Sequence, residues 1–175
     1  SSRINGTADQ ALSLLLEADY KKAKVIARSL VKINENRKKL VDKEVEKAEK
    51  LIGTYGNVIV LKSNFHPGVM GIVAGRIKEK YNRPVVVLSE KDGYLKGSCR
   101  SVEGFNIKEA LDKCDFLEGY GGHAMAAGLS LKSENFNRLC EELTSQTKTL
   151  DIKPPVIQVD GILEDVNIAT IERIE

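Results

Sequence analysis

The spacing of hydrophobic positions changes along this chain, and the changes mark its elements. Between Gly6 and Gly53 there is no Gly or Pro, and apolar residues recur at helical intervals. Ala8 to Glu17 reads as a short helix with Leu12, Leu15 and Leu16 on one face. Asp19, with its short acceptor side chain, is placed to cap a second helix running to about Ile52. Its apolar residues Ile26, Leu30, Ile33, Leu40, Val41, Val45, Ala48 and Ile52 form one stripe. At about 1.5 Å rise per residue this predicts a rod of roughly 50 Å, a length suited to a connector between domains.

From Asn57 the texture becomes one of short continuous apolar runs. Val58-Ile59-Val60-Leu61 and Val85-Val86-Val87-Leu88 suit strands buried on both faces. Gly68 to Tyr81 reads as a helix between them, and Pro84 blocks its continuation. Strand, helix and strand in that order predict a right-handed βαβ unit with parallel strands. Asp92-Gly93 predicts a hairpin into a third strand, Tyr94 to Arg100, antiparallel to the second. Asn106 to Cys114 reads as a helix capped by Asn106, followed by a glycine-rich loop and a strand through Leu129-Ser130-Leu131. Ser133 is placed to cap a helix over Glu134 to Thr147. Pro154-Pro155 marks a boundary, after which Val156 to Ile162 opens another strand.

The fold class is therefore α/β: a mixed, partly parallel β-sheet flanked by helices and preceded by a long connecting helix. Four segments are expected: 1–18, the end of a helical region; 19–53, the connecting helix; 54–150, the α/β domain; and 151–175, a linker and the start of a further domain.

Composition adds three points. The formal net charge of +2 conceals an asymmetry, because residues 21–52 hold eleven Lys/Arg against five Asp/Glu. A face of Lys39, Lys43, Lys47 and Lys50 on the second helix either tracks nucleic acid or is merely solvated. No stretch is apolar for long enough to span a membrane, and there is no signal-peptide pattern. The three cysteines, Cys99, Cys114 and Cys140, show no CxxC spacing, which disfavours a disulfide framework or zinc site and makes a reducing cytoplasm the expected location. Ser1-Ser2-Arg3 has no initiating Met and Ile174-Glu175 stop inside an amphipathic pattern, so a piece of a longer protein is expected.

The candidate chemistry lies in two glycine motifs that between them hold both histidines of the chain. One is Asn64-Phe65-His66-Pro67-Gly68-Val69-Met70-Gly71; the other is Gly121-Gly122-His123-Ala124-Met125-Ala126-Ala127-Gly128. The second is so poor in side chains that its backbone N–H groups are free to close around an anion. The alternative is a tight loop where two strands pack closely, with His123 partly buried. Arg100 offers a fork that matches phosphate geometry, and Ser101 offers a hydroxyl.

Four segments stand in order: His66-Pro67-Gly68-Val69-Met70-Gly71-Ile72-Val73-Ala74-Gly75-Arg76, Gly97-Ser98-Cys99-Arg100-Ser101, Gly104-Phe105-Asn106-Ile107 and Gly121 to Gly128. Together they resemble the DHH-associated C-terminal domain of RecJ-type single-stranded-DNA exonucleases, closely over roughly residues 55 to 147. Arg3-Ile4 and Ala8 to Leu16 resemble the end of that family's core helical region, and Val156 to Ile174 the start of its oligonucleotide-binding fold. Phe65 stands where a bulkier aromatic is expected, and Cys99 where a small residue is usual, its thiol serving either packing or chemistry.

The resemblance implies an N-terminal DHH domain that holds two divalent cations, Mn2+ or Mg2+, and activates water for in-line attack on a phosphodiester. No Asp-His-His and no group of Asp and His at metal-ligand spacing occurs here, so no metal ligand is expected in this chain. What the resemblance then implies is one wall of a cleft: the substrate-binding part of a 5′-to-3′ exonuclease of recombination and repair, inactive alone. Its partners would be single-stranded DNA and the protein's own DHH domain. On this wall, Arg100 and His123 are implied as catalytic. Arg100, Ser101, Gly121, Gly122, His123 and His66 are implied to bind phosphate or DNA, with His66 either joining the site or capping the helix near Gly68. Arg76 is expected in a surface or inter-domain salt bridge, and Cys114 and Cys140 in the core. The alternatives are a DHH-family phosphodiesterase acting on oligoribonucleotides, adenosine bisphosphate or cyclic dinucleotides, and a non-catalytic nucleic-acid-binding module.

Overall fold

The computed structural model describes residues 8–152 and 154. The expectations for Arg3-Ile4 and for the strand and further fold from Val156 onward lie outside these residues. Helices α1 (Asp9–Leu16) and α2 (Tyr20–Leu51) lead into strand β1 (Ile59–Ser63), helix α3 (Met70–Tyr81) and strands β2 (Val85–Lys91) and β3 (Tyr94–Arg100). Helix α4 (Ile107–Asp112), strands β4 (Leu117–His123) and β5 (Ala126–Lys132) and helix α5 (Phe136–Thr147) follow. The strands form one mixed sheet in the order β1-β2-β3-β5-β4. The pair β1–β2 is parallel and the other three pairs are antiparallel.

Alternation along β2 explains the double-sided core. Val85 and Val87 point to one face, where they join Ile59, Leu61, Val73 and Ile77 beneath α2 and α3. Val86 and Leu88 point to the other, where they join Leu95, Leu111, Leu139 and Leu143 beneath α4 and α5. A strand covered on both sides has no polar face, hence the unbroken apolar run.

The capping expectations divide. Asp19 accepts from the amides of Lys21 and Lys22 at 2.8 and 3.1 Å and starts α2. Asn106 does the same for Lys108 and Glu109 at 3.1 and 3.3 Å and starts α4. Ser133 does not cap a helix: its hydroxyl is buried without a partner, and a 3-10 turn over Ser133–Asn135 precedes α5. The Asp92-Gly93 hairpin is as expected, with φ of 53° and 78° at its two turn residues, the signature of the primed turn that matches strand twist. Leu12, Leu15 and Leu16 on α1 are not buried, because no described residue covers that face; Leu15 is 82% exposed. The stripe of α2 is buried only in its second half, at Val41 and Ala48, where the helix reaches the sheet domain.

The glycine-rich segment differs most from expectation. It is not a loop: Gly121, Gly122 and His123 end strand β4, Ala126 begins β5, and Ala124-Met125 forms the hairpin tip between them. Gly121 pairs with Gly128 and Gly122 with Ala127, so most of the segment is committed to a ladder rather than to an anion-binding concavity. At Gly122, φ is 144° and a Cβ would lie 2.4 Å from the carbonyl oxygen of Ala126. Close packing of two strands is what this glycine serves.

Candidate phosphate-binding face

Residues in register on neighbouring strands project to the same side of a sheet. Val85, Arg100, Ala126 and His123 form one such row across β2, β3, β5 and β4. Val87, Ser98, Gly128 and Gly121 form the next. Val85 and Val87 lie under α3, and β3, β5 and β4 extend the same face beyond it. There Gly121, Gly128 and His123 are exposed. The result is an open floor of small residues with Arg100 and His123 standing on either side of Ala126. Two strand spacings set their Cα atoms about 10 Å apart.

Arg100 is half-buried against the start of α3. One guanidinium nitrogen, Nη1, donates to the carbonyl of Cys99 at 2.7 Å. Nη2 lies so close to Gly71 that a Cβ there would stand 2.9 Å away. Glycine at 71 therefore makes the room in which the guanidinium sits. No described carboxylate pairs with Arg100, whose remaining N–H donors face a depression of about 360 Å³ lined by Pro67, Gly68, Gly71, Ile72 and Ser98. A guanidinium held without an acidic partner beside bare backbone is a ready site for phosphate oxygens.

The other expected residues are placed differently. Ser101 is buried, and its hydroxyl donates to the carbonyl of Phe105 at 2.6 Å, so its one proton is not available to a phosphate. Its backbone N–H donates to Met125 O at 2.9 Å and that of Ile107 to Ala124 O at 3.0 Å, which pins the hairpin tip next to His123. Ser101 therefore positions the face rather than contacting what lies on it. His66 accepts the amide of Gly68 on Nδ1 at 3.1 Å, which fixes its neutral form as the Nε2–H tautomer and closes the turn leading into α3. It braces the loop that walls the Arg100 depression. Gly121 leaves its stretch of floor open, with no atom within 4 Å of where a Cβ would be.

Sequence reasoning missed the bracing of that loop. Glu44 on α2 is buried, pairs with Lys47 at 2.9 Å and accepts the amide of His66 at 3.4 Å. Lys47 Nζ donates to Asn64 O at 3.1 Å and lies 4.8 Å from the centre of the Phe65 ring. The carbonyl of Phe65 accepts from Ser89 Oγ at 2.7 Å. The loop from Asn64 to Gly68 is thus tied to both α2 and β2. Lys47 is accordingly not part of a solvated basic face, and Lys50 pairs with Glu46 at 2.6 Å. Arg76 bridges α3 to α2 through Asp42 at 2.6 Å, the surface pair expected for it. Burial pushes the Cys99 thiol up to about 12 against the opposing charge of Arg100, so this cysteine serves packing. Cys114 is also buried, whereas Cys140 is only half-buried.

Among the described residues, no group of three or more His, Cys, Asp or Glu is arranged to hold a metal ion, and no helix is long and apolar enough to cross a membrane.

Comparison with known proteins places the sheet domain in a family. The DHHA1 domain family matches residues 54–149. RecJ of Bacillus subtilis (strain 168), a single-stranded-DNA-specific exonuclease, is 36% identical over 94% of this chain and 22% of its own length. RecJ from Thermus thermophilus in complex with Mg2+ superposes with a TM-score of 0.76 at 34% identity, over 86% of this chain and 25% of that one. An exonuclease RecJ bound to manganese superposes with a TM-score of 0.73 at 33% identity, over 86% of this chain and 40% of that one. The chain spans about a quarter of the length of the curated relatives it matches. The family match covers more than half of the chain and falls on the sheet that carries Arg100 and His123: this chain belongs to the DHHA1 domain family, and RecJ proteins are relatives it resembles in both sequence and structure.

Proposed function

We propose that this chain is the substrate-binding part of a 5′-to-3′ single-stranded-DNA exonuclease of recombination and repair in the cytoplasm. Its open sheet face is one wall of a cleft whose other wall is the metal-binding DHH domain of the same protein. The observation that carries this reading is the guanidinium of Arg100, without a carboxylate partner among the described residues and held against Gly71, in register with His123 across an open floor. RecJ relatives solved with Mg2+ or Mn2+ support metal dependence of the whole enzyme. Such ions activate water for in-line attack on the phosphodiester.

The part left to this wall follows from charge. The phosphoryl group gains negative charge as the water adds and the old ester bond breaks. Arg100 holds the phosphate oxygens that face away from the other wall, and its fixed positive charge favours the transition state over the ground state. His123 donates a hydrogen bond to a phosphate oxygen or to the leaving oxygen. Gly121 and Gly128 leave the floor bare, so that the strand approaches closely. Alone, the chain cleaves nothing.

In the polypeptide that unites this chain with its DHH domain, Arg100→Ala and His123→Ala should each lower turnover about 100- to 1000-fold. Substrate binding should weaken less than turnover falls. Near-normal turnover of both variants, with only a lowered melting temperature, contradicts the reading.

A further inference from the structure

The proposed site uses Arg100, at the end of β3, and leaves the first half of that strand without a role. Alternation places Tyr94, Lys96, Ser98 and Arg100 on one face of that strand. Ser98 and Arg100 line the depression at the start of α3. Tyr94 and Lys96 line a second hollow of about 490 Å³, with Pro67, Met70 and Lys91. Pro67 borders both, so the two hollows are consecutive along one groove.

The second hollow has the chemistry of a stacking platform. Its apolar walls are the Pro67 ring, Met70 and the ring of Tyr94, which is 47% exposed. The side chains of Lys91 and Lys96 make no hydrogen bond or ion pair with any described residue. Asp92, in the hairpin turn, is the one carboxylate on its lining. The hydroxyl of Ser89, also on the lining, is donated to Phe65 O and is not free to read a base edge. Stacking and charge without a directed donor suit any base on a phosphate backbone. Tyr94 to Arg100 is seven residues of strand, and its six rises span roughly 20 Å, which is beyond a mononucleotide and within reach of a short oligonucleotide.

We infer that the hollow at Tyr94 is a second nucleotide subsite. It stacks the base of a nucleotide further along the single strand whose phosphate lies at Arg100, while Lys96 and Lys91 hold the phosphates between. This rests on the reading of Arg100 as a phosphate site, and the test separates the two.

Binding of oligothymidylates to the 175-residue chain, from mononucleotide to hexanucleotide, is measured by isothermal titration beside an abasic hexanucleotide. Affinity should rise with length. Tyr94→Ala should lower hexanucleotide affinity about tenfold and leave mononucleotide binding unchanged, while Tyr94→Phe keeps the gain. The abasic strand should bind the parent chain as the normal strand binds Tyr94→Ala. Lys96→Gln should flatten the salt dependence of hexanucleotide binding. A hexanucleotide bound equally by Tyr94→Ala and the parent, or no gain with length, overturns the subsite. Mononucleotide binding unaffected by Arg100→Ala instead overturns the phosphate reading, whatever Tyr94 does.

Discussion

Gly121 and Gly122 are adjacent in β4 but answer to different constraints. Gly122 has a φ of 144°, and a Cβ there would collide with backbone at 2.4 and 2.5 Å. Gly121 faces open space. Gly122→Ala should therefore cost about 2–4 kcal/mol, as β5 or the hairpin tip shifts. Gly121→Ala should stay within about 0.5 kcal/mol in urea denaturation yet weaken oligonucleotide binding, because its methyl stands on the floor. Equal losses of stability in the two variants would refute this division. A run of glycine and alanine reads alike in an anion-binding concavity and in a close-packed hairpin. That is why the sequence left both readings open, and the structure shows the close-packed one at Gly122. Arg100 was a candidate from its chemistry alone, and the structure sets its guanidinium against Gly71. The buried state of Ser101 was not legible, because its partner, the carbonyl of Phe105, is fixed by the turn between β3 and α4 rather than by residue type.

At the scale of elements, helix α2 does more than connect. Glu44 and Lys47 hold the loop that walls the Arg100 depression. Lys47 remains 29% exposed, so water screens part of the pair. Glu44→Ala should destabilise the chain by about 1–2 kcal/mol, from the lost ion pair and the unsatisfied amide of His66. Glu44→Gln keeps an acceptor for that amide and should recover part of the loss. The amide resonance of Gly68, which reports its bond to His66 Nδ1, should move in Glu44→Ala, and an unmoved resonance would show that α2 does not set the loop. Helix starts were readable where a short acceptor side chain had amides free to receive it, as at Asp19 and Asn106. Ser133 failed the same test because a 3-10 turn intervenes before α5. The bracing role of α2 was unreadable because a lysine periodicity says nothing of which lysines find a carboxylate three residues away and a carbonyl in a distant loop.

Across the whole molecule, the proposed function rests on incomplete covering of the sheet. One face is closed by α4 and α5 over Leu95, Leu129 and Leu131. The other is closed by α2 and α3 over β1 and β2, and is left open over β5 and β4. On that open side, alternation presents Lys96, Arg100, Lys132 and His123 from β3, β5 and β4. Positive charge on the folded domain is thus concentrated locally although residues outside 21–52 are net acidic. The βαβ unit and the β2–β3 hairpin were local in sequence and could be read. The insertion of β5 between β3 and β4 joins Arg100 to Ala126 and Ala126 to His123, and this pairing of distant segments is what builds the face. The most direct test is to titrate the isotope-labelled chain with a single-stranded oligonucleotide and follow its backbone amides by NMR. Shifts are expected at Gly71, Ser98, Arg100, Gly121 and His123, abolished by Arg100→Ala. Shifts confined to the exposed lysines of α2, unchanged in Arg100→Ala, would contradict it.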